Sequence, residues 1–358
     1  MYVSMCGAGC GYSVEPENVG KFPQIKKQSR EKAQKIVVED SKVGWCKSFV
    51  SACEAWENGK EVEINYSLIR PAGAKLETMG GRASGPAPLQ ELMTFTRRKI
   101  LARQGRRLTT LDLHDIICQI GLIVVAGGVR RSALISLSAP DDYEMRDAKK
   151  GAFWQTEGQR SMANNSAVYE VKPSAEEFLE EWTALVTSHS GERGIFNRGG
   201  LEVQLPKRRW ESIKNAKQIG MNPCGEIYLQ SKQFCNLTSI VVRPKDTMES
   251  LKRKMHLATI VGTYQATLTN FEYLSKEWKE NCEKEQLLGV SITGYYDNKI
   301  VRDDKNLQIL RDEGIKANKK YAKRFGVNES TAITCVKPHG NSGQLLGVGS
   351  GMHTWYSH

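Results

Sequence analysis

Five residues near the middle of the chain bring a thiol, a carboxylate and an amide together. Residues 222–226 read Asn-Pro-Cys-Gly-Glu, and Cys235 follows eleven residues after Cys224. Proline is excluded from a helix interior and glycine permits a tight reversal, so the run predicts a loop tip that exposes Cys224. A cysteine is more often a small buried hydrophobe than a reagent. An exposed thiol beside a carboxylate is, however, an unusual choice for a structural loop, and the pattern favours a reactive thiol.

Downstream of this loop, alternating patterns predict the strands and helices that must hold it in place. Residues 235–243 and 287–294 have the apolar character of strands, whereas residues 248–284 and 305–325 have helical spacing with charged faces. Residues 334–346 read as a strand, a glycine-bearing turn and the start of a helix. Backbone N–H groups at such a helix start can bind phosphate, so this segment is a candidate phosphate site.

Upstream of the loop, helical and strand patterns are interrupted by one long loop. Apolar spacing predicts a helix that begins after an N-cap at Ser41 and ends just before Gly59, and another over residues 110–126. Residues 61–66 alternate as a half-buried strand does, and residues 174–177 form a capping-box pattern. Residues 70–88 are rich in Gly, Ala, Ser and Pro. Loops of this length are uncommon in compact domains unless they are functional, so this one is a candidate nucleotide-contacting surface.

The composition is that of an ordinary globular protein. The chain has 358 residues, of which 40% are hydrophobic and 25% charged, and no apolar run approaches the roughly 20 residues that span a bilayer. The first residues lack the basic and apolar regions of a secretory signal, so we expect a cytoplasmic location and no membrane partner. A net charge of +11 indicates polyanionic partners, either nucleic acid or nucleotide phosphates.

Nine cysteines are an odd number for a disulfide framework, so we expect reduced thiols with at most a redox pair. Cys6 and Cys10 could bind a metal, but no second thiol pair at zinc-finger spacing completes the ligand set, and no metal site is predicted. Cys53 lies at a core position of its predicted helix. Cys282 lies among charged residues and predicts a surface thiol.

Residues 222–226 resemble the active-site finger loop of the ribonucleotide reductases. The spacing of Cys224 and Cys235 is similar to that of the monomeric adenosylcobalamin-dependent triphosphate reductases. Seven further motifs match in the family's order: residues 11–15 (Gly-Tyr-Ser-Val-Glu), 69–73 (Ile-Arg-Pro-Ala-Gly), 80–86 (Gly-Gly-Arg-Ala-Ser-Gly-Pro), 128–132 (Gly-Val-Arg-Arg-Ser), 161–166 (Ser-Met-Ala-Asn-Asn-Ser), 288–294 (Leu-Gly-Val-Ser-Ile-Thr-Gly) and 351–353 (Gly-Met-His). The resemblance implies an α/β fold, namely part of the ten-stranded reductase barrel with its finger loop, and a single partial catalytic domain over residues 1–358.

The resemblance also implies a radical mechanism. Adenosylcobalamin would generate a thiyl radical at Cys224, and that radical would abstract the hydrogen on C3′ of the ribonucleotide. Glu226 would be the general base on the 3′-hydroxyl, and Asn222 would orient the hydroxyls. Residues 222, 224 and 226 are expected on one side of an extended loop. Cys235 would be one of two thiols that supply electrons and are restored by a thioredoxin-like reductant; neither Cys6 nor Cys10 is assigned as its partner.

Two segments are expected to bind the substrate. The first lines the substrate cavity in the family and comprises Asn164, Asn165 and Ser166, although an Asn-Asn pair before a strand is also ordinary turn chemistry. The second is the phosphate turn, which comprises Pro338, His339, Gly340, Asn341 and Ser342. The family pattern there is Lys-Pro-Ser-Gly-Thr, so His339 and Asn341 replace two hydroxyl residues. A protonated His339 could compensate as a cation.

Three arginines are candidate ligands of a deoxynucleotide effector. Arg130 and Arg131 could pair with phosphate in a bidentate manner, or could bridge carboxylates of this same chain. Arg82 lies in the glycine-rich loop proposed above as a nucleotide surface.

Three functional hypotheses follow. The first is a fragment or split-gene piece of a reductase that converts ribonucleoside triphosphates, or alternatively diphosphates, to deoxyribonucleotides with complementing polypeptides. We expect such an incomplete barrel to be poorly soluble, because it exposes strand edges. The second is a degenerate reductase that binds nucleotide without turnover. The third is a basic nucleic-acid-binding protein, whose affinity for DNA would fall steeply with salt.

Overall fold

The structure, a computed structural model, describes residues 1–29, 31–77, 80–124, 132–213 and 215–355. The chain divides into two compact units, Met1–Gly199 and Gly200–His358. Within the described residues, no helix has both the length and the apolar character needed to cross a membrane. The prediction of a single domain over residues 1–358 stays a prediction.

The first unit alternates helices with parallel strands. Its helices are α1 (Tyr2–Met5), α2 (Pro16–Val19), α3 (Lys42–Glu57), α4 (Ala87–Leu101), α5 (Thr110–Val124), α6 (Tyr143–Arg146) and α7 (Ala175–Ser188). Its strands are β1 (Cys10–Ser13), β2 (Gln34–Val37), β3 (Val62–Asn65), β4 (Leu134–Ser138), β5 (Ala163–Tyr169) and β6 (Gly194–Asn197). Short 3₁₀ helices cover Phe153–Gln155 and Gly158–Met162, and a third, Arg198–Gly200, spans the boundary between the units.

A four-stranded parallel sheet forms the framework of this unit, in the order β1-β4-β5-β6, and β2 pairs with β3 in a separate parallel pair. All five residues of β4 are buried, as expected of a strand covered on both faces. Parallel strands require crossover connections, and helices supply several of them here. The helix predicted between the cap Ser41 and Gly59 is confirmed as α3, and the Ser41 hydroxyl accepts a hydrogen bond from the Gly44 amide at 2.9 Å. The predicted capping box at Ser174 is also present.

The second unit contains the predicted finger loop. Its helices are α8 (Leu201–Gln204), α9 (Lys207–Trp210), α10 (Met248–Ala266), α11 (Lys276–Glu285), α12 (Asp304–Phe325) and α13 (Gly340–Leu346), with 3₁₀ helices at Ala216–Gln218, Tyr295–Asp297 and Lys299–Arg302. Its strands are β7 (Gly220–Met221), β8 (Tyr228–Leu229), β9 (Asn236–Val241) and β10 (Leu288–Thr293).

Two parallel strands and a third extended segment make up the central sheet of the second unit. Strand β9 pairs with β10 in the register Asn236↔Leu288 to Val241↔Thr293. On the other edge of β10, Val290 forms a parallel bridge with Thr334. The apolar core of this unit includes buried residues of β9, β10, α10 and α12, such as Ile240, Val290, Met255 and Leu310. The strands predicted over residues 235–243 and 287–294 and the helices predicted here are thus confirmed, whereas the strand predicted from residue 334 is only an isolated bridge at Thr334.

The prediction that Cys282 is a surface thiol was wrong. Cys282 is 7% exposed, and its sulfur accepts a hydrogen bond from the Phe234 amide at 3.3 Å. Although α11 is rich in charged residues, Cys282 and Glu285 form its buried side. The charged neighbours of Cys282 in sequence therefore lie on other faces of the helix.

Candidate active site

The finger residues form a hairpin turn between the antiparallel strands β7 and β8. The Gly225 amide donates to the Asn222 carbonyl at 2.9 Å, and the Ile227 amide donates to the Asn222 side-chain oxygen at 3.0 Å. Gly225 has φ +80°, a conformation that glycine adopts without steric cost. The predicted tight reversal is confirmed, and Asn222 holds it closed.

Cys224 lies at the tip of this turn and is exposed, whereas the residue Asn222 and the side chain of Glu226 are buried. The expectation of an extended loop was wrong, because the turn hydrogen bonds fold the segment back on itself. That residues 222, 224 and 226 project to one side stays a prediction. The thiol is thus accessible and the carboxylate is not, although both act electrostatically on Lys337.

The Glu226 carboxylate forms an ion pair that sequence reasoning missed. The Lys337 ammonium lies 2.7 Å from Glu226 Oε1, and the two side chains are 23% and 5% exposed. Glu226 Oε2 is buried and has no hydrogen-bond partner among the described residues. Buried carboxylate oxygens are normally hydrogen-bonded, so an open one needs an explanation. The site therefore holds the carboxylate in place through one oxygen and leaves the other, buried oxygen without a donor from the described residues.

Two further thiols lie near this carboxylate. Burial, reinforced by the negative charge of Glu226, raises the pKa of Cys235 to about 12. The same two causes, in the same order, raise the pKa of Cys335 to about 12. Both groups are consequently protonated at neutral pH. A thiol in this state is a poor nucleophile but retains a hydrogen atom to give.

Cys335 is not placed to form a disulfide with Cys235. Cys235 immediately precedes β9, and Cys335 follows Thr334 on the opposite edge of β10. Two strand spacings separate the Cα atoms by at least roughly 9 Å. A disulfide requires a Cα separation below about 7 Å, so this pair cannot close without backbone movement.

The predicted phosphate turn is joined to the same sheet. The Lys337 amide donates to the Ser291 hydroxyl of β10 at 2.9 Å, and α13 begins just after His339. The His339 ring lies within hydrogen-bond distance of two hydroxyls, 3.0 Å from Ser239 Oγ and 2.8 Å from Ser342 Oγ. Burial, aided by the Lys337 charge, lowers the pKa of His339. Both effects favour the neutral ring, so they disfavour the compensating cation that the sequence allowed at this position.

The remaining predicted site residues of the described chain belong to the first unit. Asn164, Asn165 and Ser166 lie inside β5, so the alternative of an Asn-Asn turn is wrong. Asn165 donates its amide to Glu192 Oε2 at 2.6 Å, and its buried side-chain oxygen has no hydrogen-bond partner among the described residues. Arg82 is exposed and donates to the Gly73 carbonyl at 2.9 Å, which closes its own loop.

Arg130 and Arg131 lie outside the described residues, as does the end of the helix predicted to precede them.

Comparisons with known proteins place this geometry in a family. No family model matches the chain. It is 28% identical to the adenosylcobalamin-dependent ribonucleoside-triphosphate reductase of Lactobacillus gasseri, over 99% of this chain and 56% of that one. The protein of the same name from Lactobacillus acidophilus is 31% identical over 82% of this chain and 43% of its own length. That from Euglena gracilis is 27% identical over 99% and 48%. The chain thus spans about half the length of the curated relatives it matches.

Solved structures agree. A crystal structure of a B12-dependent (class II) ribonucleotide reductase matches 99% of this chain and 57% of its own, with a TM-score of 0.79 at 25% identity. The chain belongs to the class II ribonucleotide reductase family. A class Id reductase α subunit from Actinobacillus ureae, at 13% identity and a TM-score of 0.52, has a similar fold over 89% of this chain. The predicted fold class, part of the reductase α/β barrel, is confirmed.

Within this class II reductase chain, the structure brings together Cys224, Glu226 and Cys235 with two residues that were not predicted, Lys337 and Cys335. A signal for both was present in the sequence. They are two residues apart in a segment predicted to be extended, and such residues point to the same face. What the sequence did not show is that this face meets the finger turn.

Proposed function

We propose that this chain carries the thiol chemistry of a class II reductase, which reduces ribonucleoside triphosphates to 2′-deoxyribonucleoside triphosphates. The observation that supports this best is an exposed thiol at a turn whose neighbouring carboxylate is buried, ion-paired and open at one oxygen. General-base catalysis requires such an acceptor within hydrogen-bond reach of the proton that it removes.

Each residue of the site has a part in the proposed reaction. Cys224, as a thiyl radical, takes the hydrogen atom from C3′ of the ribose, and returns it after the 2′-hydroxyl has left as water. Glu226 accepts the 3′-hydroxyl proton at Oε2. Cys235 is one of two thiols whose oxidation to a disulfide supplies two electrons and two protons. One proton leaves with the 2′-hydroxyl as water and the other becomes the new hydrogen on C2′, and a thioredoxin-like dithiol restores the thiols. Asn222 holds the turn that presents the thiol.

The relatives are named as adenosylcobalamin-dependent, and the described residues fit that cofactor at Cys224. The thiol is exposed at the turn and can be reached from outside the chain. When bound, adenosylcobalamin supplies the radical chemistry that removes the hydrogen atom from a thiol. No group of three or more His, Cys, Asp or Glu side chains in the described ranges is arranged to hold a separate metal ion.

The remaining partners are also proposals. The ribose would contact Asn164, Asn165 and Ser166, and the phosphates would contact residues 338–342. A deoxynucleotide effector would bind near Arg82, Arg130 and Arg131. A cytoplasmic location and complementing reductase polypeptides complete the proposal.

The test is conversion of ribonucleotides to deoxyribonucleotides with adenosylcobalamin and a dithiol, first with this chain and then with host extract or neighbouring gene products added. Cys224→Ser should abolish turnover and leave nucleotide affinity unchanged. Cys6→Ser is the matched control, because Cys6 is also exposed but lies in the first unit, far in sequence from the finger. Equal activity of Cys224→Ser and the parent chain would exclude the proposal. Nucleotide binding with no turnover under any condition would favour the degenerate binder.

A further inference from the structure

Lys337 is anchored independently of the finger turn. Its amide donates to Ser291 Oγ at 2.9 Å, and the Cys335 amide, two residues earlier, donates to the Val290 carbonyl at 3.2 Å. Both partners belong to β10, a strand that is buried along its whole length. The ammonium group thus extends from the rigid sheet to a carboxylate that lies 111 residues away in sequence. The ion pair fixes the finger carboxylate relative to the sheet.

A lysine suits this contact better than an arginine would. Its ammonium is a point donor, whereas a guanidinium presents a planar fork that engages both oxygens of a carboxylate. Lys337 meets Glu226 at Oε1, and Oε2 stays without a partner in the described residues. The pair therefore stabilises the charge of the carboxylate and keeps one lone-pair face open.

Glu226 also lines a cavity with Arg208, Arg209 and Arg311, and Arg209 is itself paired with Glu285. The groups nearest the Lys337–Glu226 pair carry no further positive charge. They are the thiols of Cys224, Cys235 and Cys335 and the imidazole of His339. Both Cys235 and Cys335 are protonated thiols, and His339 is a neutral ring. Burial alone would lower the pKa of Lys337, but its hydrogen bond to Glu226 and the negative charge of that group outweigh burial and raise it. Lys337 is hence the cation in direct contact with Glu226.

We propose that Lys337 is a positioning residue, which holds Glu226 ionised through Oε1 so that Oε2 faces the substrate's 3′-hydroxyl. This inference rests on the proposed function, since it assigns how the general base of that reaction is held ready. The competing role for a lysine beside a phosphate turn is direct binding of the substrate's phosphates. The two roles differ in what a substitution of Lys337 changes.

The experiment uses the full chain with Lys337→Met, which removes the charge and keeps the length, and Lys337→Arg, which keeps the charge. The Glu226 carboxyl is titrated by ¹³C NMR, and its signal is assigned by its loss in Glu226→Gln. We expect Lys337→Met to raise the Glu226 pKa by about one unit or more, because a buried carboxylate loses its adjacent cation. Lys337→Arg should leave the pKa near that of the parent chain. If the Met variant does not fold, Lys337→Gln replaces it.

Affinity for a ribonucleoside triphosphate is measured on the same samples. Positioning predicts less than about a threefold change in Kd, since Lys337 then has no contact with phosphate. An unshifted Glu226 titration together with a Kd weakened by about tenfold would assign Lys337 to the phosphates and overturn the inference. An unshifted titration with unchanged Kd would overturn it as well. Where turnover can be measured, Lys337→Met should lower kcat with little change in KM and move the acid limb of kcat to higher pH.

These outcomes separate the inference from the proposed function. The titration needs neither cofactor nor turnover, so a shifted Glu226 pKa in a chain that reduces no ribonucleotide would leave the positioning role intact and reject the reaction. Conversely, a chain that reduces ribonucleotides but whose Glu226 pKa does not change when Lys337 is replaced would support the reaction and reject the positioning role.

Discussion

Two buried carboxylates of the second unit, Glu285 and Glu226, are held in opposite ways. Each is paired with a cation, Arg209 at 3.2 Å and Lys337 at 2.7 Å. Both oxygens of Glu285 accept hydrogen bonds, Oε1 from Arg209, Ser212 and Thr331, and Oε2 from Gln230 and Gln233. Glu226 has one donor on Oε1, and its Oε2 has none among the described residues.

The difference separates a structural ion pair from a functional one. A carboxylate whose lone pairs are all used contributes to stability and has no acceptor left for a substrate. Arg209 also donates to the Tyr228 carbonyl of β8 at 2.6 Å, so its pair with Glu285 supports one strand of the finger hairpin. The Glu285–Arg209 pair, here called the saturated pair, thus stabilises the hairpin that carries the Glu226–Lys337 pair, here called the open pair. Burial alone does not distinguish the two; the count of donors does.

The largest effect on the free energy of unfolding is expected from Glu285→Gln. The substitution leaves Arg209, whose side chain is 3% exposed, as a buried charge without its counter-ion. Breaking a buried pair in this way costs about 3–5 kcal/mol. Chemical denaturation followed by circular dichroism measures it, and a loss below about 1 kcal/mol would contradict the structural role.

The same variant has an acid signature. Although burial raises the pKa of Glu285, the charge of Arg209 and the hydrogen bonds from Gln233, Gln230 and Arg209 outweigh it, and the net pKa is lowered. Stabilisation from a lowered carboxyl pKa is present above the unfolded value of about 4.3 and is lost as the pH falls through the folded value. The parent chain should therefore lose stability on acidification below about pH 4, and Glu285→Gln should lose less.

An intermediate effect is expected from Gly289→Ala, which tests whether the surroundings of the open pair are closely packed. A Cβ at this position of β10 would lie 2.5 Å from Leu237 Cδ2 and 3.1 Å from Cys335 Sγ. Overpacking of this kind costs about 1–3 kcal/mol. Gly158→Ala is the control, because a Cβ there meets no atom within 4 Å. Equal unfolding free energies for the two variants would show that the face around Cys335 has room to spare.

Local pattern was enough to predict the framework but not the electrostatics of the site. The helix predicted over residues 305–325 is Asp304–Phe325, and the strand predicted over residues 287–294 is Leu288–Thr293. The helix is a long segment whose apolar spacing marks its buried face, and the strand is a short, fully buried apolar run. The finger reversal was predictable because Gly225 has a conformation that few other residues adopt.

Long-range contacts were not predictable from one sequence. The Lys337–Glu226 pair joins residues 111 positions apart, and no local pattern encodes such a contact. Cys282 shows the same limit, because its charged neighbours in sequence suggested a surface that the packing of α11 does not give. The strand β5 began earlier than expected, since Asn164 and Asn165 are paired into the sheet despite their preference for turns.

The smallest effect on stability is expected from Glu226→Gln, the same chemical change as Glu285→Gln at the open pair. Its cation, Lys337, is 23% exposed and can be solvated when the carboxylate charge is gone. Gln also keeps an oxygen that can accept from the ammonium. We therefore expect a change within about 1 kcal/mol in either direction, as for most substitutions that leave no buried group unsatisfied.

Denaturation of Glu226→Gln beside Glu285→Gln makes the comparison direct, because both variants replace one oxygen by an NH₂ group. If the two lose similar free energy, donor count does not mark function in this unit, and Glu226 is a structural carboxylate like Glu285. If Glu226→Gln instead keeps its stability and, in an active preparation, loses about 10²–10⁴-fold in kcat, the loss has the size expected for a missing general base. A protein gains no stability from a buried carboxylate oxygen that lacks a donor. An unchanged free energy of unfolding together with this loss of kcat would therefore mean that Glu226 serves the reaction.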